Sequence, residues 1–175
     1  MTVEGIIYTG VPSKEELAAA PGVPSRERME KGRVACIECV QEIPCNPCES
    51  ICKFGAITIG SQITNLPHLD GEKCTGCGLC VANCPGLAIT VINRAFSSDE
   101  ATVDFPFEYI PLPEAGDTVD AVNRAGEVVC QGRIVRVTKI PAYAGTAVIS
   151  MAVPKKFCDE VRSMKRLPGE DIDEE

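Results

Sequence analysis

The chain is poor in the groups that do organic chemistry. Its 175 residues include one histidine, His68, and contain no H-E-x-x-H, no Walker phosphate loop and no G-x-G-x-x-G. Each of those motifs places ligands or a tight glycine turn at fixed spacing, so their absence excludes the corresponding zinc-protease, nucleotide-hydrolase and dinucleotide-binding arrangements. No apolar run approaches the roughly 20 residues needed to cross a bilayer. Met1 to Tyr8 carries Glu4 and lacks a basic stretch ahead of an apolar core, which is not the pattern of a secretory signal. A cytoplasmic location is therefore expected. Positive charge is also short: 17 Lys and Arg against 25 Asp and Glu give a net charge of −8. The chain closes on the acidic run Glu170-Asp171-Ile172-Asp173-Glu174-Glu175, which argues against a nucleic-acid surface and reads as a solvated tail.

Cysteine is what the chain has in excess. There are 11, an odd number, and all but Cys130 and Cys158 fall between Cys36 and Cys84. Without a secretory signal, clustering of this kind fits metal binding better than a disulfide framework. Cys74, Cys77, Cys80 and Cys84 form C-x2-C-x2-C-x3-C followed by Pro85, the run that wraps a [4Fe–4S] cluster and sends its fourth cysteine to a neighbouring one. A second run precedes it at a constant offset, with Cys45 matching Cys77, Cys48 matching Cys80 and Cys52 matching Cys84. The match continues from Ala56-Ile57-Thr58-Ile59 onto Ala88-Ile89-Thr90-Val91, so each cysteine loop leads into a short strand.

The first run is imperfect. Glu42 stands where Cys74 would have its counterpart, and Lys53 replaces the proline. Its first ligand is then Cys39, with Cys36 as the alternative. Cys39 is nearer the loop, and Pro44 and Pro47 allow a sharp bend, whereas Cys36 on a strand faces the other side and reads as a small buried hydrophobe. Crossing of the fourth ligands assigns Cys39, Cys45, Cys48 and Cys84 to cluster one, and Cys74, Cys77, Cys80 and Cys52 to cluster two. Two [4Fe–4S] clusters are the expected cofactors. Gly76 and Gly78 suit a loop whose backbone approaches the sulfurs. His68, between the runs, reads as a linker or surface residue, and Cys130 and Cys158 as packing residues.

Around this segment four parts are expected. Residues 1–32 form an N-terminal arm, in which Ser13 and Glu16 make a capping box for a short helix ended by Pro21, Gly22 and Pro24. A second polar turn runs from Ser25 to Lys31. Residues 33–93 form a two-cluster ferredoxin-like domain opening on a strand at Val34–Ile37. Residues 94–167 form a small β domain, and residues 168–175 the acidic tail. Within the β domain, Ala101–Phe105 alternates as a half-buried strand does. Thr118–Val122 and Glu127–Cys130 flank a turn at Asn123–Gly126, Gly132 precedes a strand at Arg133–Val137, and Thr146–Val153 adds another. After Pro154 the apolar spacing of Phe157, Val161, Met164 and Leu167 predicts a helix. The fold class expected is α+β: a bacterial ferredoxin-like domain followed by a small antiparallel barrel or sandwich with a C-terminal helix.

The segment from Ile37 to Glu49, I-E-C-V-Q-E-I-P-C-N-P-C-E, together with Asp104-Phe105-Pro106-Phe107 and Val153-Pro154-Lys155, resembles the small iron–sulfur subunits of heteromeric FAD-dependent amino-acid or amine dehydrogenases, of the proline, hydroxyproline, sarcosine or opine type. In that family the first ligand of the irregular run corresponds to Cys39. The extra Cys36 is a departure. The resemblance implies flavoprotein partners in a hetero-oligomer, with FAD on those partners and no substrate-converting site on this chain. The clusters would pass single electrons from the flavin to a downstream acceptor. An independent ferredoxin shuttle, and a partner-binding protein whose clusters only staple the fold, are the alternatives.

Overall fold

The computed structural model describes residues 4–168. The chain enters through three short helices, α1 (Ile6–Thr9), α2 (Lys14–Ala19) and α3 (Arg26–Glu30). Ser13 Oγ accepts from the Glu16 amide at 3.1 Å while Glu16 accepts from the Ser13 amide at 2.7 Å, which is the expected capping box. Strand β1 (Val34–Ile37) follows, then the cysteine loops, which hold α4 (Pro47–Ile51), β2 (Ile57–Thr58), β3 (His68–Leu69) and α5 (Leu79–Ala82). Strands β4 (Ile89–Asn93), β5 (Glu100–Phe107), β6 (Thr118–Val122), β7 (Val128–Thr138), β8 (Ala147–Pro154) and β9 (Ser163–Met164) complete the fold.

All strands except β2 and β3 join one antiparallel sheet of seven, in the order β1-β4-β5-β8-β7-β6-β9. Its centre is rich in Val, Ile and Ala, and β5 and β8 are buried on both faces, so Ala101–Phe105 is not the half-buried strand its alternation predicts. One face of β5 and β8 receives α5, and the sheet curls enough to bring β9 against β5. Among the described residues no pairing joins β9 to β1, so the sheet stays open. The expected barrel or sandwich is therefore corrected to an open seven-stranded sheet. The expected ferredoxin-like arrangement is corrected with it, because β1 and β4 are the first two strands of that same sheet.

Two local readings change for physical reasons. Gly132 does not interrupt β7, which passes through it; a side chain there would strike Met151 on β8, so glycine serves close strand approach. The expected C-terminal helix is a single 3-10 turn at Lys155–Phe157 followed by β9. Cys158, Val161 and Met164 are buried as a helix stripe would be, but Arg162 and Lys165 donate their amides to Val122 and Asp120 carbonyls on β6. Arg94, 3% exposed, fixes the turn, donating to Glu30 at 2.8 Å, Cys158 Sγ at 2.7 Å and Asp159 at 3.2 Å. The Asn123–Gly126 turn forms as expected, with Gly126 at φ 80°. The acidic run 170–175 lies outside the described residues.

Candidate thiol site

The cysteine loops have little core of their own. Their strands β2 and β3 are two residues long, and Ile43, Phe54, Ile63 and Leu87 are about half exposed. Side chains from elsewhere hold their backbone instead. Arg28, from α3, donates to four carbonyls: Gly71 at 2.6 Å, Cys74 at 2.8 Å, Arg33 at 3.1 Å and Gly32 at 3.3 Å. Arg33 donates to the Gly76 carbonyl at 3.0 Å and to the buried Asp104 at 2.5 Å, and Asp104 also accepts from Ser150 at 2.6 Å. The loop is thereby tied to the middle of the sheet. Tyr143 Oη donates to the Cys77 carbonyl at 3.0 Å. Gly76, at φ 64°, lies so close to Arg33 that an added Cβ would come within 2.9 Å of its carbonyl carbon, so that close approach requires glycine.

Helix α4 starts at Pro47, a residue suited to the first turn, and carries Cys48, with Cys52 at its end. Helix α5 starts after Gly78 and carries Cys80. Cys39, Cys45, Cys48 and Cys84 line one pocket, walled by Ile37, Ile43, Ile59 and Ile89. Cys80 is close enough to Cys74, Cys77 and Cys52 for their charges to act on it. Cys74 Sγ accepts from the Ala35 amide at 3.4 Å and Cys52 Sγ from the Ala56 amide at 3.3 Å. Cys77 is exposed and Cys80 buried. Cys36 is buried among the sheet side chains, its Sγ donating toward Glu38 at 3.8 Å. His68 is exposed on β3, paired with Thr58.

Burial, reinforced by Cys74, Cys77 and Cys52, pushes the Cys80 thiol up to about 12. Burial likewise raises Cys48 to about 11, with Cys84 adding to it, and raises Cys39. Among the described residues no group of three or more His, Cys, Asp or Glu side chains could hold a metal ion. On that finding the expected pair of [4Fe–4S] clusters is withdrawn as a cofactor assignment. Single-electron relay through them, the shuttle and staple alternatives that also rest on clusters, and the description as an iron–sulfur, metal-binding protein are withdrawn with it.

Residues 67–90 match the family described as 4Fe-4S binding domain. One subunit of the Na(+)-translocating ferredoxin:NAD(+) oxidoreductase complex of Acetobacterium woodii is 46% identical over 48 residues, 27% of this chain and 14% of that protein. Ferredoxin-type protein NapF of Escherichia coli is 36% identical over 52 residues, 29% of this chain and 32% of that protein. Protein Pixie of Drosophila melanogaster is 29% identical over 117 residues, 58% of this chain and 19% of that protein. The chain thus spans less than a third of the length of each of these relatives. No solved structure matches. The chain is distantly similar to subunits of multiprotein redox complexes and to ferredoxin-type proteins. The family match is confined to residues 67–90, so with the clusters withdrawn the expected membership of the small-subunit family of FAD-dependent dehydrogenases is corrected to this shorter likeness. Among the described residues no helix is long and apolar enough to cross a membrane.

Sequence reasoning missed Arg28, Arg33 and Tyr143, which hold the cysteine loops through their carbonyls. Their partners lie far along the chain, and no local spacing marks such contacts.

Proposed function

We propose that this chain is a non-catalytic docking subunit of a hetero-oligomeric oxidoreductase, with FAD-bearing dehydrogenase subunits as its partners. The candidate site is the pair of thiol sets Cys39, Cys45, Cys48, Cys84 and Cys74, Cys77, Cys80, Cys52, with Cys36 outside both. The observation that carries the reading is the exposure of Ile43, Phe54, Ile63 and Leu87, each about half accessible and all in the cysteine loops. Large apolar side chains gathered in one loop region mark a surface meant to be covered. The distant likeness to subunits of redox complexes supports a multiprotein redox setting. Native purification with flavin analysis tests the reading. A complex containing a flavin-bearing chain is expected, and Phe54→Ser with Ile43→Ser should weaken that association. A monomer that captures no flavoprotein would overturn it.

A further inference from the structure

A cleft of about 570 Å³ opens beside the sheet, well separated in composition from the cysteine pocket. Glu38 and Thr90 line it, whereas Ile37 and Ile89, their neighbours in β1 and β4, line the cysteine pocket. Alternation along paired strands accounts for this division: successive side chains go to opposite faces. The turn residue Arg124, together with Arg162 just before β9, supplies the cleft's cationic groups.

Glu38 sits between the two guanidiniums. Arg124 donates to it at 2.7 and 2.5 Å, and Arg162 at 2.9 and 2.6 Å. Its carboxyl, which burial alone would raise, is held below the usual range by these two partners. With Glu108 also on the lining, the cleft's charged side chains number two of each sign, and the guanidiniums differ in how fully their nitrogens are used. Arg162 spends its remaining nitrogen on the Cys158 and Val161 carbonyls. Arg124 uses Nε and Nη2, the latter also reaching the Asp159 carbonyl at 3.1 Å, so its Nη1 is left without a hydrogen-bond partner among the described residues.

The second observation is independent of the ion group. Thr90 is 4% exposed, and its hydroxyl is the buried side-chain polar atom that finds no hydrogen-bond partner among the described residues. A buried hydroxyl left unsatisfied is costly, and a ligand atom accepting its proton would recover that cost. Leu87 and Tyr109, about half exposed, give the cleft an apolar wall. Glu108, on the wall as well, accepts from Thr146 at 3.2 Å and disfavours a second negative charge on any occupant.

From the unpartnered Arg124 Nη1, the unsatisfied buried hydroxyl and the apolar wall together, we infer that this cleft binds a small monocarboxylate with an apolar body. The carboxylate accepts from Arg124 Nη1 and Thr90 Oγ1, and the hydrocarbon lies along Leu87 and Tyr109. Dianions and multiply charged phosphates are disfavoured by Glu108, and alkylammonium ions because they offer the Arg124 Nη1 donor no acceptor. A volume of this size is within the usual range for small-molecule sites.

Titration of the full chain with hexanoate, followed by amide and side-chain NMR shifts, tests this inference. Saturable shifts confined to Thr90, Arg124, Leu87 and Tyr109 are expected, with none from hexylammonium and much weaker ones from inorganic phosphate. Thr90→Val keeps the shape of the side chain and should weaken hexanoate binding roughly five- to tenfold without changing the thermal midpoint much. Arg124→Gln should abolish binding; because it also opens the Glu38 group, the valine variant carries the decision. No saturable shift, equal binding of hexylammonium or phosphate, or undiminished binding by Thr90→Val would each overturn the inference.

Discussion

The cysteine loops and the seven-stranded sheet are held together by different means. The sheet relies on backbone ladders and side chains such as Phe105, Ile149 and Met151 that are wholly buried. The loops lean on a few long polar side chains, chiefly Arg28, Arg33 and Tyr143, each reaching in from outside to occupy a carbonyl. A ladder spreads its stability over many equivalent contacts, whereas a reach-in bond concentrates it. The sheet should thus be sensitive to volume and the loops to the loss of single donors.

The largest effect should fall on the sheet. Phe105→Ala removes a ring with no exposed surface and should destabilise the chain by about 3–5 kcal/mol in urea denaturation. Ile43→Ala, in the loops, should cost far less; a comparable cost would erase the distinction. Next comes Glu38→Gln, which leaves two partly buried guanidiniums facing a neutral amide and should cost about 3 kcal/mol. The Glu38 carboxyl is depressed in the folded state, so its contribution is present above the ordinary carboxylate pKa of about 4.3 and is lost as pH falls through the lower folded value. Acid unfolding of Glu38→Gln should therefore be less steep in that window than that of the parent chain.

Arg28→Ala comes third. Global stability should fall modestly, but amide exchange in residues 71–76 should quicken at least tenfold, since one guanidinium serves that loop at several points. Uniform exchange across loop and sheet would show that the reach-in bonds are not what orders the loop. Cysteine alkylation gives a finer scale. Exposed Cys77 should react first and buried Cys36 and Cys80, both raised to about 12, last, as followed by mass spectrometry at pH 8. Ser13→Ala, which removes one arm of the capping box on α2, should cost only about 1 kcal/mol.

Local chemistry was legible in the residues. The capping box at Ser13, the strand at Val34–Ile37 and the turn closed by Gly126 are each set by neighbours within a few positions, and all three form. Spacing that admits two physical solutions was not legible. Cys158, Val161 and Met164 recur every three residues, which a helix stripe explains, but a turn running into an edge strand buries the same side chains. The closure of the sheet was equally hidden, because strand patterns say which face is apolar and not whether the last strand meets the first. The cysteine spacing led to the expectation of clusters, while the described side chains form no group that could hold a metal ion. Thr90 shows the limit on the other side: nothing in Ala88-Ile89-Thr90-Val91 announces that its hydroxyl will be buried without a partner.

The outer strand β1 bears on how the chain avoids sticking to itself. An unpaired edge offers free amides to any passing strand and is the usual starting point for aggregation. Here the two outward amides of β1 are already engaged, Ala35 by Cys74 Sγ and Ile37 by the Gly22 carbonyl. Gly22 sits so close to Ile37 that an added Cβ would come within 2.8 Å of the Ile37 carbonyl oxygen, leaving no room for a foreign strand. The N-terminal segment and a cysteine sulfur thus act together as a guard rail. Removing the first two dozen residues, or losing the Cys74 sulfur, would expose a template for intermolecular β-pairing.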